Sequence, residues 1–69
     1  MEILAQRLRQ LRAEKRMSRR DVAQHLNVVE RTYQRYEENE REPIASVLVQ
    51  LAELYNVSVD YLVGRSEEK

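Results

Sequence analysis

Four side chains in one short stretch are of the types that recognise nucleic-acid bases: Glu30, Arg31, Gln34 and Arg35. Arginine donates two parallel hydrogen bonds to guanine, glutamine pairs with adenine, and a glutamate carboxylate accepts from the cytosine amino group. Their spacing matters as much as their chemistry. If residues 30–37 are helical, Tyr33 and Tyr36 turn inward and the four turn outward on the opposite side. A solvated helix surface carries the same residue types, so both a base-reading face and an ordinary wet one remain open at this point.

The elements that must hold this stretch follow from apolar spacing and capping residues. Leu4, Leu8 and Leu11 recur at helical spacing and predict an amphipathic helix over 2–15. Ser18 then starts a second helix: Asp21, three residues on, completes a capping box, and Met17 is placed to staple onto Val22. That helix buries Val22, Ala23 and Leu26, and Asn27 supplies the left-handed residue that ends it. The third helix, 30–37, starts poorly, because Val29 at the cap position cannot accept a hydrogen bond. Asn39 ends it, and Pro43 leads into a fourth helix at 44–55 with an apolar set of Val47, Leu48, Leu51, Ala52, Leu54 and Tyr55. Asn56 closes the fourth helix. Ser58, with Val57 set to staple onto Leu62, opens a short fifth that ends at Gly64. No strand pattern or repeat interrupts this series, so the fold class is all-α with five helices.

Composition excludes most other chemistry. A chain of 69 residues allows one small domain. With no cysteine and a single histidine, disulfides, thiolate metal sites and cysteine nucleophiles are unavailable; His25 reads as a surface helix residue. One glycine cannot build a phosphate-binding loop. No apolar run approaches the roughly 20 residues needed to cross a bilayer. The expectation is a soluble, cytoplasmic binding domain without cofactor, metal or small-molecule ligand, and not an enzyme.

Twelve basic and twelve acidic groups cancel, and the sequence pI is about 6.6. As a bulk number that argues against nucleic acid, whose binding domains usually have a pI above about 9. Sorted along the chain it reads differently. Residues 1–20 hold seven basic groups against two acidic ones, whereas 37–69 hold three against eight. Such a division predicts a polyanion-facing end and a separate acidic end. Individually, Arg7, Arg9, Arg16 and Arg20 are equally well explained as wet surface.

Two short helices joined by the turn at Leu26, Asn27 and Val28 form a helix-turn-helix, with the unit at about 18–37. The run SRRDVAQHLNVVERTYQRYEENEREP, followed by LAELYNVSVDYLVGR, resembles the Cro/cI-type helix-turn-helix family, including the XRE-like bacterial and phage repressors. The resemblance covers residues 3–65. It implies a compact five-helix, lambda-repressor-like DNA-binding domain over 1–65; residues 66–69, by their charge and terminal position, read as a charged, frayed tail. It also implies a sequence-specific transcriptional regulator, a repressor, that binds double-stranded DNA at a pseudo-palindromic operator as a homodimer. By position, Glu30, Arg31 and Arg35, with Gln34 beside them, fall on base-reading sites, while Arg19, Asn39 and Arg41 fall where the family meets phosphate. Arg12 and Glu37 match an interior ion pair found in several members.

If buried together, Arg12 and Glu37 form a pair whose breakage costs about 3–5 kcal/mol; fully exposed, such a pair is worth about 0–1 kcal/mol. The buried version is the expectation, and it would lock the first helix to the reading helix. Departures from the family pattern are also legible. Val29 and Ile44 stand where Ser or Thr caps are usual, and Asn27, Asn39 and Asn56 stand where the family has Gly. Glu38, Glu40 and Glu42 surround Asn39 and would repel a phosphate backbone. Val49, Val59 and Val63 exceed what one small core holds, and read either as scattered exposed apolar residues or as a dimer or partner surface. A second function class stays in view: a protein-interaction module of the same fold with little affinity for DNA.

Overall fold

The computed structural model describes residues 1–69. Its leucine stripe makes α1 (Glu2–Glu14), and the stretches that follow make α2 (Arg19–Leu26), α3 (Glu30–Glu37), α4 (Ala45–Tyr55) and α5 (Val59–Leu62). Ser18 Oγ accepts the Asp21 amide at 3.0 Å and Asp21 returns the bond to the Ser18 amide at 3.1 Å, the reciprocal box that starts α2. Ser58 Oγ accepts from the Tyr61 amide at 2.9 Å and starts α5. Val29 and Ile44 begin α3 and α4 in extended conformation with no side-chain cap.

All five helices end the same way. At each end the positive-φ residue bonds back in a five-to-two pattern and the next one in a six-to-one pattern, the latter as in Met17 N–H to Arg12 carbonyl at 3.2 Å and Val28 to Ala23 at 3.0 Å. Such an ending needs a positive φ, found at Asn27, Asn39, Asn56 and Gly64, as their residue types predict, and also at Arg16, which they do not. Gly64 is doubly required, because a Cβ there would lie 3.0 Å from Ile3 Cγ2. At Arg16, an exposed arginine holds a φ of 56° at a cost that glycine avoids. Arg16→Gly should therefore stabilise the domain by about 0.5–1 kcal/mol, after the larger unfolded-state entropy of glycine is counted. A raised urea midpoint at unchanged m-value checks it.

The core gathers Leu4, Leu8 and Leu11 of α1, Val22, Ala23 and Leu26 of α2, Tyr33 and Tyr36 of α3, and residues of α4 and α5, including Leu51 and Leu62. α3 packs on α1 and α2, α4 on α2 and α5, and α5 on α1. The body measures 29 × 23 × 19 Å, and no helix is long and apolar enough to cross a membrane.

Three expectations are corrected here. Residues 66–69 do not fray: they fold back on α1, with the Arg7 guanidinium donating to the Ser66 carbonyl and Glu67, and Lys69 pairing Glu14 at 3.1 Å. The Ser58 amide also donates to the Lys69 carbonyl. The apolar surplus is smaller than counted. Val59, as the first residue of α5, packs on the core and Val63 is half-buried, so Val49 alone of the three is exposed, at 48%. The most exposed large apolar residues are instead those that begin α3 and α4, Val29 at 68% and Ile44 at 66%.

Finally, the basic residues of the first segment are not one solvent-facing field. Arg7 is buried, with its guanidinium 3.9 Å from the Tyr61 ring centroid and bonded to the Tyr61 carbonyl. Arg9 donates to the Glu37 carbonyl, and Arg12 and Arg19 turn to the Glu37 side chain. Only Lys15, Arg16 and Arg20 of the seven lack an internal partner.

Candidate nucleic-acid interface

α3 is divided lengthwise by its own sequence. Tyr33, Tyr36 and Glu37 are buried; Glu30 and Arg31 are exposed; Gln34 and Arg35 are half-buried at the rim. Because 30, 31, 34 and 35 are one turn apart in pairs, they form two adjacent rows on the side away from the tyrosines. Arg31 and Arg35 enter no ion pair, so both guanidinium groups keep all their donors free for a ligand. Gln34 donates to Glu38 at 3.0 Å, one turn on.

The inner side of α3 is held with little slack. The Tyr33 and Tyr36 rings meet edge-on, with centroids 6.3 Å apart and planes at 88°. Tyr33 and Tyr55 share a buried hydroxyl–hydroxyl hydrogen bond of 2.9 Å, which ties α3 to the end of α4. Glu37, 0% exposed, receives Arg12 Nε at 2.6 Å and Nη2 at 3.2 Å, and Arg19 Nε at 3.0 Å. Arg12 also donates from Nη1 to the Met17 carbonyl at 3.1 Å. Arginines from α1 and α2 thus converge on the last residue of α3.

Burial alone would raise the Glu37 carboxyl, but hydrogen bonds from Arg12 and Arg19, and the Arg12 charge, outweigh it and hold the group below its usual range. The bond to Glu37 raises Arg12 in turn, against burial. Burial pushes the Tyr33 phenol far up, and pushes Tyr55 up to about 12. Both phenols hold their protons more tightly folded than unfolded, so their contribution to stability is constant below pH about 10, where unfolded tyrosine ionises, and falls above it. The expected loss is about 1.4 kcal/mol per pH unit for each phenol, ending for Tyr55 near pH 12. Tyr55→Phe should flatten the decline between pH 10 and 12 in urea titrations.

The sequence-predicted residues divide into three groups. Glu30, Arg31, Gln34 and Arg35 lie together on one face of α3, and Arg12 and Glu37 pair, as read. Arg19 lies beside that pair, with an internal partner the sequence reading did not give it. Asn39 and Arg41 are exposed in the loop after α3 among Glu38, Glu40 and Glu42. Asn39 Oδ1 accepts from the Met1 ammonium at 2.9 Å, and Glu42 pairs the same ammonium at 2.6 Å; Arg41 has no ion pair. The structural duty of Arg7 escaped the sequence reading, although one signal was present. Arg7 stands three residues after Leu4 and four before Leu11, inside the apolar stripe.

A family model described as a helix-turn-helix domain matches residues 3–62 of this chain. The chain is 36% identical over 64 residues to the HTH-type transcriptional regulator ImmR of Bacillus subtilis (strain 168), covering 93% of this chain and 50% of that protein. Over 63 residues it is 38% identical to the uncharacterized HTH-type transcriptional regulator YobD and 36% identical to the HTH-type transcriptional regulator AnsR, both of the same strain. Those matches cover 91% of this chain, with 56% of YobD and 54% of AnsR. The chain spans about half the length of the curated relatives it matches.

Proposed function

The chain belongs to the helix-turn-helix domain family, and from that membership we propose that it is the DNA-reading part of a transcriptional repressor, with α3 seated in the major groove. Arg31 and Arg35 read guanine, Gln34 adenine and Glu30 a cytosine amino group. Arg19, Asn39 and Arg41 hold the sugar–phosphate backbone, where contacts position rather than specify. Two copies on a pseudo-palindromic duplex would place their reading helices about 34 Å apart, one turn of DNA. One observation carries this reading: α3 satisfies Tyr33, Tyr36 and Glu37 inside the fold while Arg31 and Arg35, on the other side, have no internal ion-pair partner.

A second reading, a protein-interaction module with little DNA affinity, gains support from the internal use of Arg7, Arg9, Arg12 and Arg19 and from the acidic loop after α3. Selection of duplexes from a random pool, followed by a salt titration of the enriched sequence, separates the two. The DNA reading expects a two-fold-related consensus and an affinity that falls steeply between about 50 and 200 mM salt. Absence of any duplex binding at the lower salt favours the interaction module.

A further inference from the structure

The contact between Arg19 and Glu37 divides one guanidinium between two tasks. Arg19 reaches Glu37 Oε1 through Nε alone, at 3.0 Å, and its two Nη groups make no hydrogen bond within the chain. Its side chain is 34% exposed, whereas the Glu37 carboxylate is 0% exposed and anchored from the other side by Arg12. The guanidinium is planar and rigid, so fixing Nε fixes the plane in which the Nη hydrogens lie. Arg19 is also the first residue of α2, beside a helix terminus whose free amides favour an anion. We infer that Glu37 is a positioning residue for Arg19: it sets the Arg19 Nη groups in the orientation that grips one DNA phosphate, and so ties that backbone contact to the reading helix.

This rests on the DNA reading above and adds to it a role for a buried α3 carboxylate in backbone binding. A phosphate oxygen is met bidentately by a guanidinium but only as a point charge by an ammonium. The geometry therefore distinguishes arginine from lysine at this position. A lysine has one charged nitrogen, which stays with the buried carboxylate or leaves it for the phosphate, but does not span both as the two ends of the guanidinium do. The Arg12–Glu37 pair survives either substitution of Arg19, so the domain should remain folded, and thermal melting of each variant verifies this.

The test compares wild type, Arg19→Lys and Arg19→Gln on the selected duplex over a salt series, with base preference re-selected for each. Expected for both variants is a weakening of about tenfold or more, the loss of one charge-assisted hydrogen bond. The salt slope should fall by about 1 in Arg19→Gln, which removes the charge, with an unchanged consensus in both variants. A wild-type affinity in Arg19→Lys would mean that the divided guanidinium is not needed, and would overturn the inference. So would an unchanged slope in Arg19→Gln, which would leave Arg19 a fold contact only. Failure of the wild type to bind any duplex at low salt removes the DNA reading itself and the inference with it. The two failures are thus told apart by whether the wild type binds.

Discussion

Arg12→Met should lower the unfolding free energy at pH 7 by about 3–5 kcal/mol, and the deficit should shrink as the pH is lowered toward 4. Glu37 is an acceptor with no route to water, and Arg12 supplies two of the three arginine hydrogen bonds its carboxylate receives. Without them the charge is left in a low-dielectric site with Arg19 as its one charged partner. A domain of 69 residues holds on the order of 3–10 kcal/mol in total, so a loss of this size brings it close to unfolding.

The pH signature separates a lost ion pair from lost packing. In the wild type the carboxyl titrates below its ordinary 4.5, so the stability it contributes is fully present above that value and is lost as the pH falls through the folded one. In Arg12→Met, burial is no longer outweighed, and protonation relieves the strain on the folded state. Wild type weakens on acidification while the variant gains, so the two urea midpoints converge. A gap of constant size from pH 7 to pH 4 would assign the loss to packing instead. The pair Arg12→Met with Glu37→Met should lose less than the sum of the single changes, because neither then leaves a buried charge.

Arg31→Ala should weaken binding to the preferred duplex by about 1–3 kcal/mol, roughly 5–150-fold, and relax preference at one base position on each half-site. Arg31 is exposed and enters no ion pair, so its removal should leave the urea midpoint unchanged and act on DNA alone. Arg41→Ala supplies the contrast: as a backbone contact it should weaken all duplexes alike and lower the salt slope by about 1. An Arg31→Ala protein with full affinity and an unaltered consensus would place the reading face elsewhere on the molecule.

Much of the fold was legible because helix starts and stops are local events. Ser18 with Asp21 and Ser58 with the Tyr61 amide act over three residues, and the left-handed endings at Asn27, Asn39 and Asn56 depend on one residue each. The tyrosine-in, arginine-out division of α3 follows from a 3.6-residue period. Arg16 was missed for the complementary reason. Nothing in an arginine announces a positive φ; the start of α2 at Ser18, two residues on, requires the reversal there, and arginine tolerates it at a cost.

The charges show where legibility stops. By itself the sequence determined five helices, their ends, and which face of α3 carries Glu30, Arg31, Gln34 and Arg35, all consequences of interactions within a few residues. Tertiary structure alone decided that Arg7 belongs to Tyr61 and the C-terminal tail, that Arg9 and Arg19 join Arg12 at Glu37, and that Lys15, Arg16 and Arg20 stay unpaired. Those partners lie 18 to 60 positions apart along the chain. Charge type is written in the sequence, but whether a charge faces water, a buried carboxylate or a ligand depends on which distant carbonyls and carboxylates the packing brings within about 3 Å.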